Sequence, residues 1–165
     1  KPLDTGGLDP LLANYVTEPV PTSSWVPEVI NTAMYLVIAD QAFRNDDAFL
    51  GWITEFSKRL FEAPMYRVLM AVASPERLAS GAVRRWENFH TGVEYEVTIL
   101  EGGTEARMRY PRNLFDKLAY RAHLRAIEAA YRASGARNAV AELVSFEPNE
   151  AAFRVVWYPE RAPRV

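Results

Sequence analysis

The spacing of apolar residues changes at Gly92. Before it, they recur every three to four positions, as one face of a helix requires; after it, they recur every two, as one face of a strand requires. Val93, Tyr95, Val97 and Ile99 alternate with Glu94, Glu96 and Thr98, Glu101-Gly102-Gly103 supplies a hairpin turn, and Ala106, Met108 and Tyr110 alternate with Glu105, Arg107 and Arg109. The polar faces of the two strands carry opposite charges, Glu94 and Glu96 against Arg107 and Arg109, and such pairs help fix register.

The same order occurs again further on. Pro111-Arg112-Asn113 starts a long helix over 111–133 with a wide apolar face, Ser134-Gly135 ends it, and strands over 138–146 and 150–158 flank the turn Glu147-Pro148-Asn149. Helix, Gly stop, strand, turn, strand and Tyr-Pro thus appear twice, with His90-Thr91-Gly92 and Tyr110-Pro111 as landmarks of the first copy and Ala133-Ser134-Gly135 and Tyr158-Pro159 as those of the second. Two α-β-β units imply a four-stranded, mainly antiparallel sheet with helices on one face.

The first half reads as helical. Residues 1–23, punctuated by Gly6-Gly7 and four prolines, read as an irregular arm with one helical turn from Asp9. A helix is expected over 24–43, with Ser24 as its cap and Pro27 and Glu28 in its first turn. Asn45-Asp46-Asp47 caps a second helix that reaches Glu62. Pro64 opens an apolar segment, 65–73, whose period separates helix from buried strand poorly. Ser74-Pro75-Glu76 starts a helix expected to run over 74–89 and to bury Leu78, Val83, Trp86 and Phe89, with Gly92 available to close it. The expected organisation is therefore the arm at 1–23 and a single α+β domain at 24–165, with a helical portion at 24–73 and the duplicated portion at 74–159.

Composition removes whole classes of function. No cysteine occurs, which excludes disulfides, zinc–thiolate and iron–sulfur sites and thiol nucleophiles. A net charge of −2 argues against a general nucleic-acid binder. The longest apolar run, 33–39, is far short of the roughly 20 residues that cross a bilayer, so a cytoplasmic protein with no membrane partner is expected. The chain begins at Lys1 without Met, so processing or excision from a longer protein is expected.

Candidate chemistry is sparse. His90 falls at a helix end, where it can hydrogen-bond the last carbonyls, or else it stands at a pocket rim with Arg85 and Trp86. His123 lies in a helix one turn after Tyr120, as a core or boundary residue or as an axial haem ligand. Two isolated histidines make no metal pair, and no Gly-x-Ser-x-Gly elbow or phosphate loop is present. Arg84-Arg85, Arg107, Arg109, Arg112, Arg121 and Arg125 either converge on an anion or are neutralised by Glu87, Glu94, Glu96, Glu105 and Asp116; the number of nearby acids favours neutralisation. A helix layer rich in aromatic residues over a small sheet is suited to lining an apolar pocket.

Leu60-Phe61-Glu62-Ala63-Pro64-Met65-Tyr66-Arg67, then Ser74-Pro75-Glu76-Arg77-Leu78, Trp86, Gly92 and the two Gly-stop and strand-pair units resemble an uncharacterised bacterial family of domains of roughly 200 residues, the size of one domain. More distantly the pattern is similar to haem-nitric-oxide/oxygen-binding (H-NOX) domains, to vinyl-reductase-type small-ligand domains and to the ligand-sensing domains of some AraC-type regulators. The resemblance implies a non-catalytic sensory or regulatory domain that binds a small apolar or amphipathic ligand and signals through a protein partner or a homodimer. It does not carry haem over, because the string nearest to the Tyr-x-Ser-x-Arg motif of the haem-binding members, Tyr131-Arg132-Ala133-Ser134-Gly135-Ala136-Arg137, has a different spacing. No cofactor, no metal and no catalytic residue are expected, and Arg85, Trp86, His90, Tyr120 and His123 are the expected ligand-binding residues. An interaction module that uses the 1–23 arm and the sheet edges, with no small ligand, is the alternative expectation.

Overall fold

The computed structural model describes residues 2–21 and 24–157, without the side chains of Met65, Ala71, Arg85, Asn88 and Phe89. Helices α1 (Pro10–Thr17), α2 (Glu28–Ala42), α3 (Asp46–Glu62), α4 (Pro64–Ala71), α5 (Pro75–Ser80) and α6 (Ala82–Phe89) precede the hairpin β1 (Glu94–Leu100) and β2 (Gly103–Arg109). Helix α7 (Lys117–Ala133) and the hairpin β3 (Val140–Glu147) and β4 (Glu150–Val156) follow. The four strands form one antiparallel sheet in the order β1-β2-β4-β3. The α+β class, with its helices gathered at the amino-terminal side, is as the sequence leads one to expect.

Local chemistry sets most boundaries. Asn45 Oδ1 accepts the Ala48 amide at 2.9 Å at the start of α3, and the Ser74 hydroxyl accepts the Arg77 amide at the start of α5. The 64–71 segment is a helix, with Pro64 in its first turn. At the end of α7, Ala136 N–H donates to Tyr131 O and Gly135 N–H to Arg132 O, with Gly135 at φ +106°, so the last carbonyls of the helix are satisfied.

Three expected helices end elsewhere. Helix α2 starts at Glu28, not at Ser24: Val26 precedes a proline and so disfavours helix, and Pro27 itself is extended at the cap with no side-chain bond. The helix expected over 74–89 is two, because Gly81 ends α5 at φ −95°, ψ 1° and α6 begins after it. His90, extended at φ −134°, closes α6, and Gly92 at φ +74° turns the chain toward β1 instead of capping the helix. The long helix begins at Lys117, not at Pro111. Asp116 Oδ1 caps it from the Leu118 amide at 2.7 Å, and Asn113, at φ +63°, donates its N–H to Pro148 O at 2.6 Å, so residues 111–115 are a turn tied to the β3–β4 hairpin. The 1–23 arm contains α1 packed on α2, and Gln41 bonds both the N–H and the C=O of Asp4. Phe89 as a buried side chain, and Tyr158 and Pro159 as repeat landmarks, lie outside the described residues.

The sheet register follows the charge pattern. Glu94 pairs with Arg109 and Glu96 with Arg107 in β1–β2, and Gly103 pairs with Val156 and Arg109 with Glu150 in β2–β4. That pairing relates the two hairpins by an approximate twofold axis near Ala106 and Phe153. The inner sheet face and α7 enclose one core, built on Met108, Tyr120, Leu124, Tyr131, Phe153 and Val155; the other face of α7 meets α2 and α3 through Ala122, Ala39, Phe49, Leu50 and Ile53.

Two glycines test the packing. A Cβ on Gly103 would lie 2.7 Å from the Val155 carbonyl oxygen, whereas one on Gly51, in α3, would meet nothing within 4 Å. Gly103→Ala is expected to lower stability by about 1–3 kcal/mol and Gly51→Ala to raise it by about 0.5–1 kcal/mol, read as urea midpoints at unchanged slope.

Candidate functional site

Trp86 stands in the last turn of α6, and His90 is the extended residue that closes that helix. Their rings stack with centroids 3.6 Å apart and planes 7° from parallel. Helix α2 presents Glu28, Asn31 and Tyr35 on one face by its helical period. Glu28 is the first residue of that helix, and its carboxylate meets both histidines: Oε2 lies 3.2 Å from His90 Nδ1 and Oε1 lies 3.7 Å from His123 Nε2. Asn31 Nδ2 donates to Glu28 Oε1 at 3.0 Å. His123, on α7, stands edge-on to Tyr35 at 5.5 Å and to Phe115 at 5.6 Å.

Burial pushes the Glu28 carboxyl up, but the hydrogen bonds from His90 and Asn31 and the nearby imidazoles outweigh it and hold the group below the usual carboxylate range. Burial also disfavours the imidazolium of His123, whose pKa stays below the usual histidine value even though Glu28 opposes the shift. Tyr35, shielded beside the same carboxylate, is pushed up.

Two cavities flank this cluster. The inner one, about 290 Å³, is lined by Leu78, Ala82, Trp86, His90, Tyr95, Ile127, Ala130 and Tyr131 and is mostly apolar. The outer one, about 550 Å³, is lined by Trp25, Val26, Pro27, Glu28, His90 and Thr91. His90 is a wall of both. The indole N–H of Trp86 is buried without a hydrogen-bond partner among the described residues, an uncommon and costly state for such a group.

Of the residues expected to bind ligand, His90 and His123 meet Glu28, and Trp86 joins them by stacking on His90. Tyr120 does not join them. It is 1% exposed in the core, its hydroxyl faces Met108 Sδ at 3.4 Å, and burial pushes its pKa up. The Arg85 side chain lies outside the described residues. Sequence reasoning used Glu28 only as a first-turn acid and missed Asn31 and Tyr35; a polar stripe at i, i+3 and i+7 on an otherwise apolar helix is the signal that could have found them.

The arginines are largely met by acids. Arg109 meets Glu94, Glu96 and Glu150, Arg107 meets Glu150, Arg154 meets Glu105, and Arg125 and Arg132 meet the buried Glu128. Among the described residues no three His, Asp or Glu side chains are placed to hold a metal ion.

The histidine–carboxylate cluster fixes a pH dependence. Because the folded-state pKa of His123 lies below its unfolded value near 6.5, the unfolded chain binds the proton first, and stability falls as pH drops below about 6.5. Glu28, depressed in the folded state, adds stability that is present above about pH 4.5 and is lost as pH falls through its lowered pKa. The urea midpoint is expected to decline from about pH 7 to 5 and then more steeply, with the first decline flattened in His123→Phe.

No family model and no curated protein matches the chain. Among solved structures it is similar to an H-NOX protein from K. algicida, a variant in the Fe(II) unliganded state, at 13% identity and a TM-score of 0.52 over 91% of this chain and 87% of that one. The chain thus has an H-NOX-like fold.

Proposed function

We propose that this chain is a non-catalytic, cytoplasmic sensory domain that binds a small, partly apolar ligand in the inner groove beside Trp86 and His90 and signals through a protein partner or a second copy. One observation carries the reading. The Trp86 indole N–H is a buried donor with no acceptor among the described residues, and Trp86 lines an apolar groove between α5–α6, α7 and β1. A ligand with an apolar body and one acceptor oxygen would fill the groove and, with a small turn of the indole that brings its N–H to the groove, satisfy that donor. The H-NOX-like fold supports a sensory role, and among the described residues no helix is long and apolar enough to cross a membrane.

The side chains fit a resident haem poorly. An axial ligand must aim a nitrogen into a slot wide enough for the macrocycle, but His123 turns Nε2 toward Glu28 between Tyr35 and Phe115 and lines neither of the two grooves. In the segment nearest in sequence to the propionate motif of haem-binding members, Ser134 Oγ donates to Tyr131 O at 2.8 Å and Arg132 Nε to Ala139 O at 3.0 Å, so these groups close the end of α7. Binding, not catalysis, is also the reading of the His90–Glu28 pair, since His90 has no hydrogen bond to a nucleophile among the described residues.

Thermal shift and tryptophan fluorescence with aromatic alcohols, aromatic ketones and free haem test this. A stabilising oxygenated aromatic is expected, with Trp86→Phe weakening it about three- to tenfold, the equivalent of one hydrogen bond. If no compound in the set raises Tm, or if Trp86→Phe binds equally well, the reading fails.

A further inference from the structure

We propose that the cleft between α3, α4 and α7 is a second binding site, for an amphipathic carboxylate. The cleft has a volume of about 540 Å³, well within the range of small-molecule pockets. Phe61, Met70, Ala129 and Ala133 supply apolar wall, and Lys58, Arg67 and Arg132 bring three cations to it. It shares no lining residue with the grooves at Trp86 and His90 and does not depend on the function proposed for them.

Arg132 supplies oriented donors, and Lys58 and Arg67 supply the positive charge. The Arg132 Nε–H donates to Ala139 O at 3.0 Å, and its Nη2 meets Glu128 Oε1 at 2.7 Å. Glu128 is itself buried and fixed by the Ala141 amide at 3.1 Å and by Arg125. The guanidinium is therefore held from behind, and the rest of its five-donor fork remains for a ligand. A group oriented before binding loses less freedom on binding, which favours a carboxylate here. Lys58 and Arg67 are exposed and form no ion pair among the described residues, so both can turn toward the same anion. Glu55 and Glu62 also line the cleft, but they are exposed and no fixed partner among the described residues orients them. An amphipathic amine bound by those two acids is the competing ligand.

Calorimetric titration of the whole chain with decanoate, decanol and decylamine separates these outcomes. Decanoate is expected to bind at least about tenfold more tightly than decanol, with decylamine no tighter than decanol. Lys58→Gln with Arg67→Gln should weaken decanoate about tenfold and leave decanol unchanged, and Ala133→Trp, which fills the cleft without touching a charge, should abolish binding of both. Trp86→Phe should change neither. The variants avoid Arg132, whose loss would strip a partner from the buried Glu128, and circular dichroism checks that each is folded. Failure of decanoate to bind, an equal or higher affinity for decylamine, or decanoate binding that survives both the double variant and Ala133→Trp would overturn the proposal.

Discussion

Helix α7 is buried on two sides, and the rest of the fold is arranged around that fact. Tyr120, Leu124 and Tyr131 face the sheet, whereas Ala122 is fully buried in the cluster with Phe49, Leu50 and Ile53 of α3. Large residues fill the space over a twisted sheet; small ones let a second helix approach closely on the other side. A helix used this way cannot fray without opening both cores, and both of its ends are secured, by Asp116 at the start and by the Gly135 turn at the finish. Enlarging Ala122 would wedge α3 away, an overpacking cost of about 1–3 kcal/mol.

Two shielded carboxylates fasten the other elements to this helix. Glu128 is 3% exposed and meets Arg125, Arg132 and the Ala141 amide, so it joins α7 to β3 as well as to its own turn. Glu28 joins the start of α2 to the end of α6 and to the middle of α7. Taking a carboxylate out of water is expensive, and it becomes tolerable only when several donors replace the lost hydration. Each of these acids therefore specifies geometry more than it adds stability. Both would lose their partners together if the layers slid past one another.

Sequence legibility follows the range of the interaction. Asn45 and Ser74 were readable as caps because a cap depends on residues three positions away. The switch of period at Gly92, the two tight turns and the charges on β1 and β2 were readable because a strand pair joined by a short turn has little choice of register. The errors at Ser24 and Pro111 share a cause: a locally plausible start was displaced by a constraint nearby, the extended residue before Pro27 and the Asn113 amide bound to Pro148 O. Gly81 was passed over because its cost of about 1 kcal/mol in a helix is small enough for packing to overrule in either direction. The Glu28 cluster was beyond local reasoning. His90 lies 62 residues from Glu28 in the chain, and nothing short of the packing of α2 against α6 and α7 brings them together.

The placement of α7 also bears on how occupancy of one cavity could be felt at the other. Ile127, Ala130 and Tyr131 line the inner groove, while Ala129, Arg132 and Ala133 line the cleft on the opposite side, so the two sets interleave along a single turn and a half of the same helix. Glu128 sits among them, and through Arg132 it anchors a wall of the cleft. A ligand shifts a conformational balance only by binding two states unequally, whatever its affinity. Here the element that would have two positions is identifiable: a rotation of α7 small enough to keep its caps would move Tyr131 and Arg132 together, because they are adjacent residues on a rigid backbone. Coupling between the cavities would require a ligand that binds two positions of α7 unequally, and reciprocity would then make the influence run both ways. The Ala122 contact with α3 and the Glu128 link to β3 resist such a motion, so the same contacts that join the two cores set what it would cost.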